Sequence, residues 1–292
     1  MSGVRFAPSP TGSFHLGNLR TAWVSRRMAL LGRIPWVVRF EDIDELRSKP
    51  GAKQGQLDDL SALGLTPDLV IDQSARHSEH LAAFEAARAE GKVYPCDCSR
   101  ANVQAVLAQV QSAPHTGESY QYSGHCRNHR RESLAEYHPR ETLARRWARA
   151  DDPSGRSDAI VARTGPDGSE FAPGYHWACA IDDADGDYSL LVRAWDLAPA
   201  ELMQAPIRRW RNPRSNVGVF HTSLVTLDSG DRLEKRTQRV TLAELLANGW
   251  SPARLLAAFE ASFSPPDRLD TGGEDRKVLP LSELLPGFGT GI

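Results

Sequence analysis

The feature that most restricts the fold is the order of elements in residues 4–44, which reads strand, turn, helix, strand. Val4-Arg5-Phe6-Ala7 is a short apolar run that predicts a buried strand, and Pro8-Ser9-Pro10-Thr11-Gly12-Ser13 is a loop of turn formers. A helical stripe follows through Leu16, Leu19, Trp23, Leu30 and Leu31, with Gly32 as its stop. Ile34-Pro35-Trp36-Val37-Val38-Arg39-Phe40 predicts a second strand, running into Glu41-Asp42-Ile43-Asp44. A strand–helix–strand of this length is the unit of a parallel sheet. Such sheets take ligands at the carboxyl ends of their strands. The loop up to His15 and the residue Glu41 both fall at that end.

The rest of the chain extends an α/β pattern. Residues 53–65 and 76–91 predict helices, Gly174–Asp183 another, and Tyr188–Ala194 and Val217–Leu227 strands. Helices are again expected over Leu242–Leu246 and Pro252–Phe263, before a Pro/Gly-rich tail after Ser264. Between Tyr94 and about Glu170 the periodicity fails, and the segment is polar, rich in His and Arg, and carries three of the four cysteines, so it reads as an insertion. With 292 residues the chain is long enough for a full core without disulfides. No apolar run reaches the roughly 18 residues of a membrane span. The amino terminus lacks the layout of a signal peptide. A cytoplasmic protein is therefore expected, and nothing calls for more than a monomer.

Charge alone names no partner: 35 Lys+Arg stand against 37 Asp+Glu, a formal net charge of -2. Only five of the cations are lysines, a bias that genome base composition produces as readily as function does. Local arginine clusters at Arg130-Arg131, Arg145-Arg146-Trp147-Ala148-Arg149 and Arg208-Arg209-Trp210-Arg211-Asn212-Pro213-Arg214 are candidates for gripping RNA backbone, or simply solvated faces. Cys96-Asp97-Cys98 and Cys126 offer three thiols, which with one N or O donor make a closed tetrahedral zinc site. Spacing alone favours His129, in Cys126-x-x-His129, as the fourth ligand, with His125 as the other candidate. Cys179, inside Trp177-Ala178-Cys179-Ala180-Ile181, reads as a buried small hydrophobe. At the head of the first helix, His15 and Asn18 lie one turn apart and Gly17 lets backbone approach a ligand, where free N–H groups favour phosphate.

Residues 5–22, with His15-Leu16-Gly17-Asn18 at the "HIGH" position, resemble the signature of glutamyl-type class I aminoacyl-tRNA synthetases. Arg39-Phe40-Glu41-Asp42-Ile43-Asp44 is similar to that family's second block. The resemblance implies a Rossmann-like fold that binds ATP, with His15, Gly17 and Asn18 at the triphosphate. It implies a glutamate pocket of Arg5, Phe6, Ala7, Pro8, Ser9, Glu41, Tyr175 and Arg193. Arginine forks suit carboxylates and Glu41 suits the ammonium. The phosphate-closing "KMSKS"-type loop corresponds to Gly230-Asp231-Arg232-Leu233-Glu234-Lys235-Arg236. It keeps Lys235 for phosphate contact but has Arg232 and Glu234 where relatives have Lys and Ser.

Cys-x-Cys followed by Tyr122-x-x-x-Cys126 resembles the zinc site of the glutamyl-Q tRNA(Asp) synthetase group, and there implies Cys96, Cys98, Tyr122 and Cys126 as ligands. The chain ends about 55 residues after the Lys235 loop, without room for an anticodon-binding domain. The implied organisation is a Rossmann-like first half over 1–93, a zinc-binding insertion over 94–170, the second half over 171–228, and over 229–292 the loop with a short helical subdomain. The implied activity is that of a ligase: tRNA-independent activation of L-glutamate with ATP and Mg2+, then transfer to the queuosine base of tRNA(Asp). The alternatives are a truncated synthetase charging a tRNA 3′ end and a non-catalytic RNA-binding paralogue.

Overall fold

The computed structural model describes residues 3–98, 122–129, 136, 142–165, 167–231, 233, 240–266 and 272–288. By contact density the chain divides into two compact units, one of residues 1–75, 186–199 and 214–292, the other of residues 76–185 and 200–213.

The first unit is built on a six-stranded parallel sheet. Its strands are β1 (Gly3–Phe6), β2 (Trp36–Phe40), β3 (Leu69–Asp72), β8 (Tyr188–Ala194), β9 (Gly218–Thr222) and β11 (Gly273–Glu274). The spatial order is β11-β9-β8-β1-β2-β3, so the chain winds outward from β1 first one way and then the other. That is the doubly wound order, and its direction reverses between β1 and β8, where such folds open a crevice.

Alternation along the strands gives this sheet two chemically different faces. Val4, Phe6, Val38, Phe40, Leu190, Val192 and Phe220 belong to the hydrophobic core of the unit. The core is completed by α1 (Leu16–Gly32), α8 (Pro252–Ala261) and shorter pieces, with Trp23 against the rings of Phe259 and Phe263 at 6.0 and 5.7 Å. Arg5 is in register with Val37 and Leu191, and Arg193 with His221. With a side-chain period of two, Arg5, Arg39, Arg193 and His221 therefore share the opposite face. The three arginines there are almost wholly buried.

Two expectations differ in detail. The α1 stripe stops short of Leu30 and Leu31, which are 56 % and 46 % exposed in the last turn. Val217–Leu227 is two strands, because at the buried Ser223 the chain leaves β9 and enters β10 (Leu224–Thr226), paired with β12 (Val278–Pro280). In the Pro/Gly-rich tail, whose order the sequence left open, the described residues include β11, which widens the main sheet, and α9 (Leu281–Leu284), which buries Leu281 and Leu284 in the core. Arg20, 1 % exposed on α1, binds Asp275 at 2.7 Å and the Ser262 carbonyl at 2.7 Å, which ties that tail to the helix.

The second unit holds a four-stranded antiparallel sheet of β4 (Val93–Cys96), β5 (Leu143–Trp147), β6 (Ile160–Thr164) and β7 (Ala172–Pro173). Helices α3 (His77–Ala89), α5 (Tyr175–Asp185) and α6 (Ala198–Arg211) supply Phe84, Trp177, Ile181 and Ile207 to its core, where Trp147 also sits. Cys179 is buried in α5, in keeping with its apolar surroundings. Among the described residues, no helix is long and apolar enough to cross a membrane.

Candidate active site and metal centre

The loop between β1 and α1 is shaped by partners for its carbonyls. Pro8 and Pro10 have no N–H to offer, so the loop cannot satisfy itself by ladder bonds. The Pro8 carbonyl accepts from Glu41 N at 2.9 Å and the Pro10 carbonyl from Lys49 N at 2.9 Å. The amide nitrogen of Gln56 donates to the Ser9 and Gly12 carbonyls at 3.1 and 2.7 Å. Gln56 lies on α2 (Ala52–Ala62) and is 2 % exposed.

The loop delivers the chain to the N-terminus of α1, which His15 caps. His15 Nδ1 accepts from Gly17 N at 3.1 Å, and Asn18 Oδ1 accepts from His15 N at 3.2 Å. An imidazole whose Nδ1 accepts must carry its neutral-state proton on Nε2. Gly17 is required for this cap: a Cβ there would stand 2.9 Å from His15 Cε1. Leu16 N donates to the Val240 carbonyl at 2.8 Å, and His15 bridges Thr241. The segment at Val240 and Thr241 is thus stitched to the head of α1. Lys235 itself, with Arg232 and Glu234, lies outside the described residues.

Glu41 follows the last residue of β2, and its side chain is 9 % exposed. One of its carboxylate oxygens meets the Arg39 guanidinium at 3.4 Å. Arg5 and Arg193 lie on the same sheet face, on the two strands that flank the switch point. Ser9 is exposed in the loop, Ala7 is half-buried and Pro8 buried. Phe6 turns its ring into the core, 6.0 Å from that of Phe14, so only its backbone is available to a ligand. Tyr175 belongs to the second unit, as the first residue of α5, and is 37 % exposed.

In the second unit the Sγ atoms of Cys96, Cys98 and Cys126 lie within 4.8 Å of one another, with 3.5 Å between those of Cys98 and Cys126. Tetrahedral Zn–S bonds of about 2.3 Å set S···S edges near 3.8 Å, so the three thiols fit a zinc ion. The Tyr122 hydroxyl is 3.8 Å from Cys96 Sγ and accepts from Cys126 N at 2.8 Å. His125 and His129 are exposed, stack on each other at 4.7 Å and fall outside the thiol cluster.

Hydrogen bonds from the Cys126 and Cys98 thiols, helped by Arg146, hold the Cys96 thiol well below its ordinary range. Arg146 Nε donates to Cys96 Sγ at 3.2 Å, and its guanidinium lies 3.6 Å from the Tyr122 ring centroid. Arg146 also donates to the carbonyl of buried Asp158 at 2.7 Å, and the Asp158 carboxylate accepts from Tyr94 at 2.7 Å and from Arg127 at 2.9 Å. Burial, followed by the bond to Asp158, raises the Tyr94 phenol, which stays protonated.

Two of the three arginine clusters have interior duties. Arg145 and Arg146 are buried, and Arg149 is held by Asp151 and the Leu202 carbonyl. Arg208 is buried against Glu201, and Trp210 packs on Trp147 and Trp177. Arg209 and Arg214 remain exposed, and Arg130 and Arg131 lie outside the described residues. Gln56 and Asp158 escaped the sequence reading because a lone polar residue on a helix or in a loop gives no sign of its burial.

The chain is similar to known proteins. The family model for the catalytic domain of class I tRNA synthetases (E and Q) matches residues 3–260. A glutamyl-Q tRNA(Asp) synthetase of Nocardia farcinica is 36 % identical over 298 residues, covering 97 % of this chain and 88 % of that protein. Another, of Deinococcus radiodurans, is 36 % identical over 303 residues and covers 98 % and 95 %. Among solved structures, a glutamate tRNA ligase from Elizabethkingia meningosepticum in complex with its amino acid superposes with a TM-score of 0.70 at 21 % identity. That match covers 97 % of this chain but 64 % of the ligase, so the chain spans less than two thirds of that protein's length. With a sheet of this order, a capped helix head behind the first strand and relatives of this closeness, the chain belongs to the class I tRNA synthetases (E and Q), and within them to the glutamyl-Q tRNA(Asp) synthetase family.

Proposed function

We propose that the chain activates L-glutamate with ATP, without tRNA, and passes the glutamyl group to the queuosine base at the wobble position of tRNA(Asp). The observation that carries this reading is the set of groups at the carboxyl ends of β1, β2 and β8. Buried Arg5 and Arg193 share one sheet face, and Glu41 stands at the end of the next strand. Glutamate brings two carboxylates and one ammonium, and this set answers it with two forked cations and one anion. The names of the two bacterial relatives support the tRNA(Asp) target.

In the first step a glutamate α-carboxylate oxygen attacks the α-phosphorus of ATP, the bond to the β-phosphate oxygen breaks, and pyrophosphate leaves. His15, with its proton on Nε2, donates to the phosphate oxygens on which charge builds, and the positive end of the α1 dipole favours that charge. Mg2+ bound with ATP neutralises triphosphate charge. In the second step a hydroxyl of the queuosine ring attacks the adenylate carbonyl, and AMP leaves as the ester forms. Positioning and charge stabilisation suffice for both steps, so no side-chain nucleophile is required. Lys235 is proposed as the phosphate contact of the closing loop. Cys96, Cys98, Cys126 and Tyr122 are proposed as the ligands of a structural zinc.

Glutamate-dependent ATP–pyrophosphate exchange without tRNA tests the first step. Absence of exchange by a protein that still binds ATP refutes it. Glutamate transfer to tRNA(Asp) with and without queuosine tests the second, and charging of a tRNA 3′ end instead overturns the target. Gly17→Ala checks the cap: the added methyl displaces the His15 ring, and the exchange rate should fall on the order of 10²-fold with the fold intact. An unchanged rate would show that the imidazole has no part in the chemistry.

A further inference from the structure

We infer that Gln56 is a positioning residue for the substrate loop, setting the conformation in which Ser9 and its neighbours meet glutamate. This rests on the function proposed above. Its side chain is 2 % exposed, in the middle of α2, and faces two carbonyls of the same loop. Only the amide nitrogen can satisfy two carbonyls, so the orientation of the amide follows from its neighbours. Its Oε1 is buried with no hydrogen-bond partner among the described residues.

That unpartnered oxygen separates a packing role from a positioning role. A buried polar atom without a partner lowers stability, and an apolar side chain of similar size would avoid the loss. The glutamine therefore makes a poor core residue and a good loop clamp. Asp59, one turn further on the same helix, accepts a hydrogen bond from the backbone N–H of Phe14, at the other end of the loop. With Glu41 N on the Pro8 carbonyl and Lys49 N on the Pro10 carbonyl, the carbonyls of residues 8, 9, 10 and 12 are all held from the side of β2 and α2. Of these four anchors, only the two made by Gln56 come from a side chain, so only they can be removed by substitution.

The test compares Gln56→Leu, which removes the donor, with Gln56→Glu, which keeps the shape but offers only acceptors when ionised. Two readouts apply to the full-length protein. In pyrophosphate exchange, KM for glutamate should rise about tenfold, the worth of one ordinary hydrogen bond, while KM for ATP stays within about twofold. In amide hydrogen exchange, protection of peptides covering residues 7–14 should fall by a similar factor, while peptides from β8 and α8 keep theirs. The second readout needs no activity, so an inactive wild type would count against the proposed function and still leave this inference open to decision. Melting measurements establish that each variant is folded, and Gln56→Asn, too short to span both carbonyls, replaces either one that is not. Unchanged loop protection in the folded variants, or an unchanged glutamate KM alongside active wild type, overturns the inference.

Discussion

Replacing Arg193 with leucine should raise the glutamate concentration needed for half-maximal pyrophosphate exchange by about 100-fold, and more if the substrate carboxylate is left buried and unpaired. A hydrogen-bonded charge pair that loses one partner typically costs about 2–5 kcal/mol, or roughly 30-fold upward. Arg193 is 4 % exposed, so solvent cannot take over the role of the missing guanidinium. Leucine suits the strand and its buried position, so the variant should fold. Arg193→Lys should recover part of the loss, because a single ammonium replaces charge but not the fork. ATP affinity serves as the internal control and should hardly move. If glutamate kinetics in Arg193→Leu match the wild type, the pocket lies elsewhere.

The second large effect concerns the cysteine cluster. Purified protein should contain about one zinc per chain, and Cys126→Ala should lose it. Among the described residues, the apolar cluster around the site has Tyr94, Cys96, Tyr122 and Cys126 as its buried members, a small core on which a metal would add much. Apparent zinc-binding free energies in small metal-dependent folds run about 10–16 kcal/mol, far above what such a cluster contributes. Chelation should therefore cost residues 97–98 and 122–129 their amide protection, while β5 and β6, held by sheet pairing and by Trp147 and Val161 in the core of the second unit, keep theirs. Tyr122→Phe should weaken the metal and His129→Ala should not, since His129 lies outside the thiol cluster. A metal content near zero would remove the zinc altogether. Retention in Tyr122→Phe with loss in His129→Ala would exchange the fourth ligand.

Much of this molecule was legible in the sequence because its local patterns are strong. The run Val4-Arg5-Phe6 alternates apolar and charged residues, and so do Val38-Arg39-Phe40 and Val192-Arg193-Ala194. That alternation already implies a sheet with one greasy and one arginine-bearing face. The spacing of His15, Gly17 and Asn18 fits a helix head, and the helix does begin at Leu16 with His15 as its cap. The cysteine spacing proposed a shared site, and the three sulfurs do meet. What failed was whatever depends on partners distant in sequence. Arg145, Arg146 and Arg208 look in sequence like surface cations, yet Cys96, Asp158 and Glu201 draw two of them inward and all three are buried. The order of the Pro/Gly-rich tail could not be read from sequence either, because pairing to β9 and the Arg20–Asp275 bond decide it for the described residues.

By itself, then, the sequence determined the βαβ opening, the helix-head motif, the thiol spacing and, through its resemblance, the family. These are properties of neighbours a few residues apart, where steric preference and periodicity act directly on the chain. Only the tertiary structure decided that β8 lies beside β1, which puts Arg193 on the same face as Arg5 across 188 positions of sequence. Only it assigned Gln56 to the loop and Asp158 to Tyr94 and Arg127. A buried polar side chain is tolerated only where a partner awaits it, and that partner is chosen by the fold as a whole.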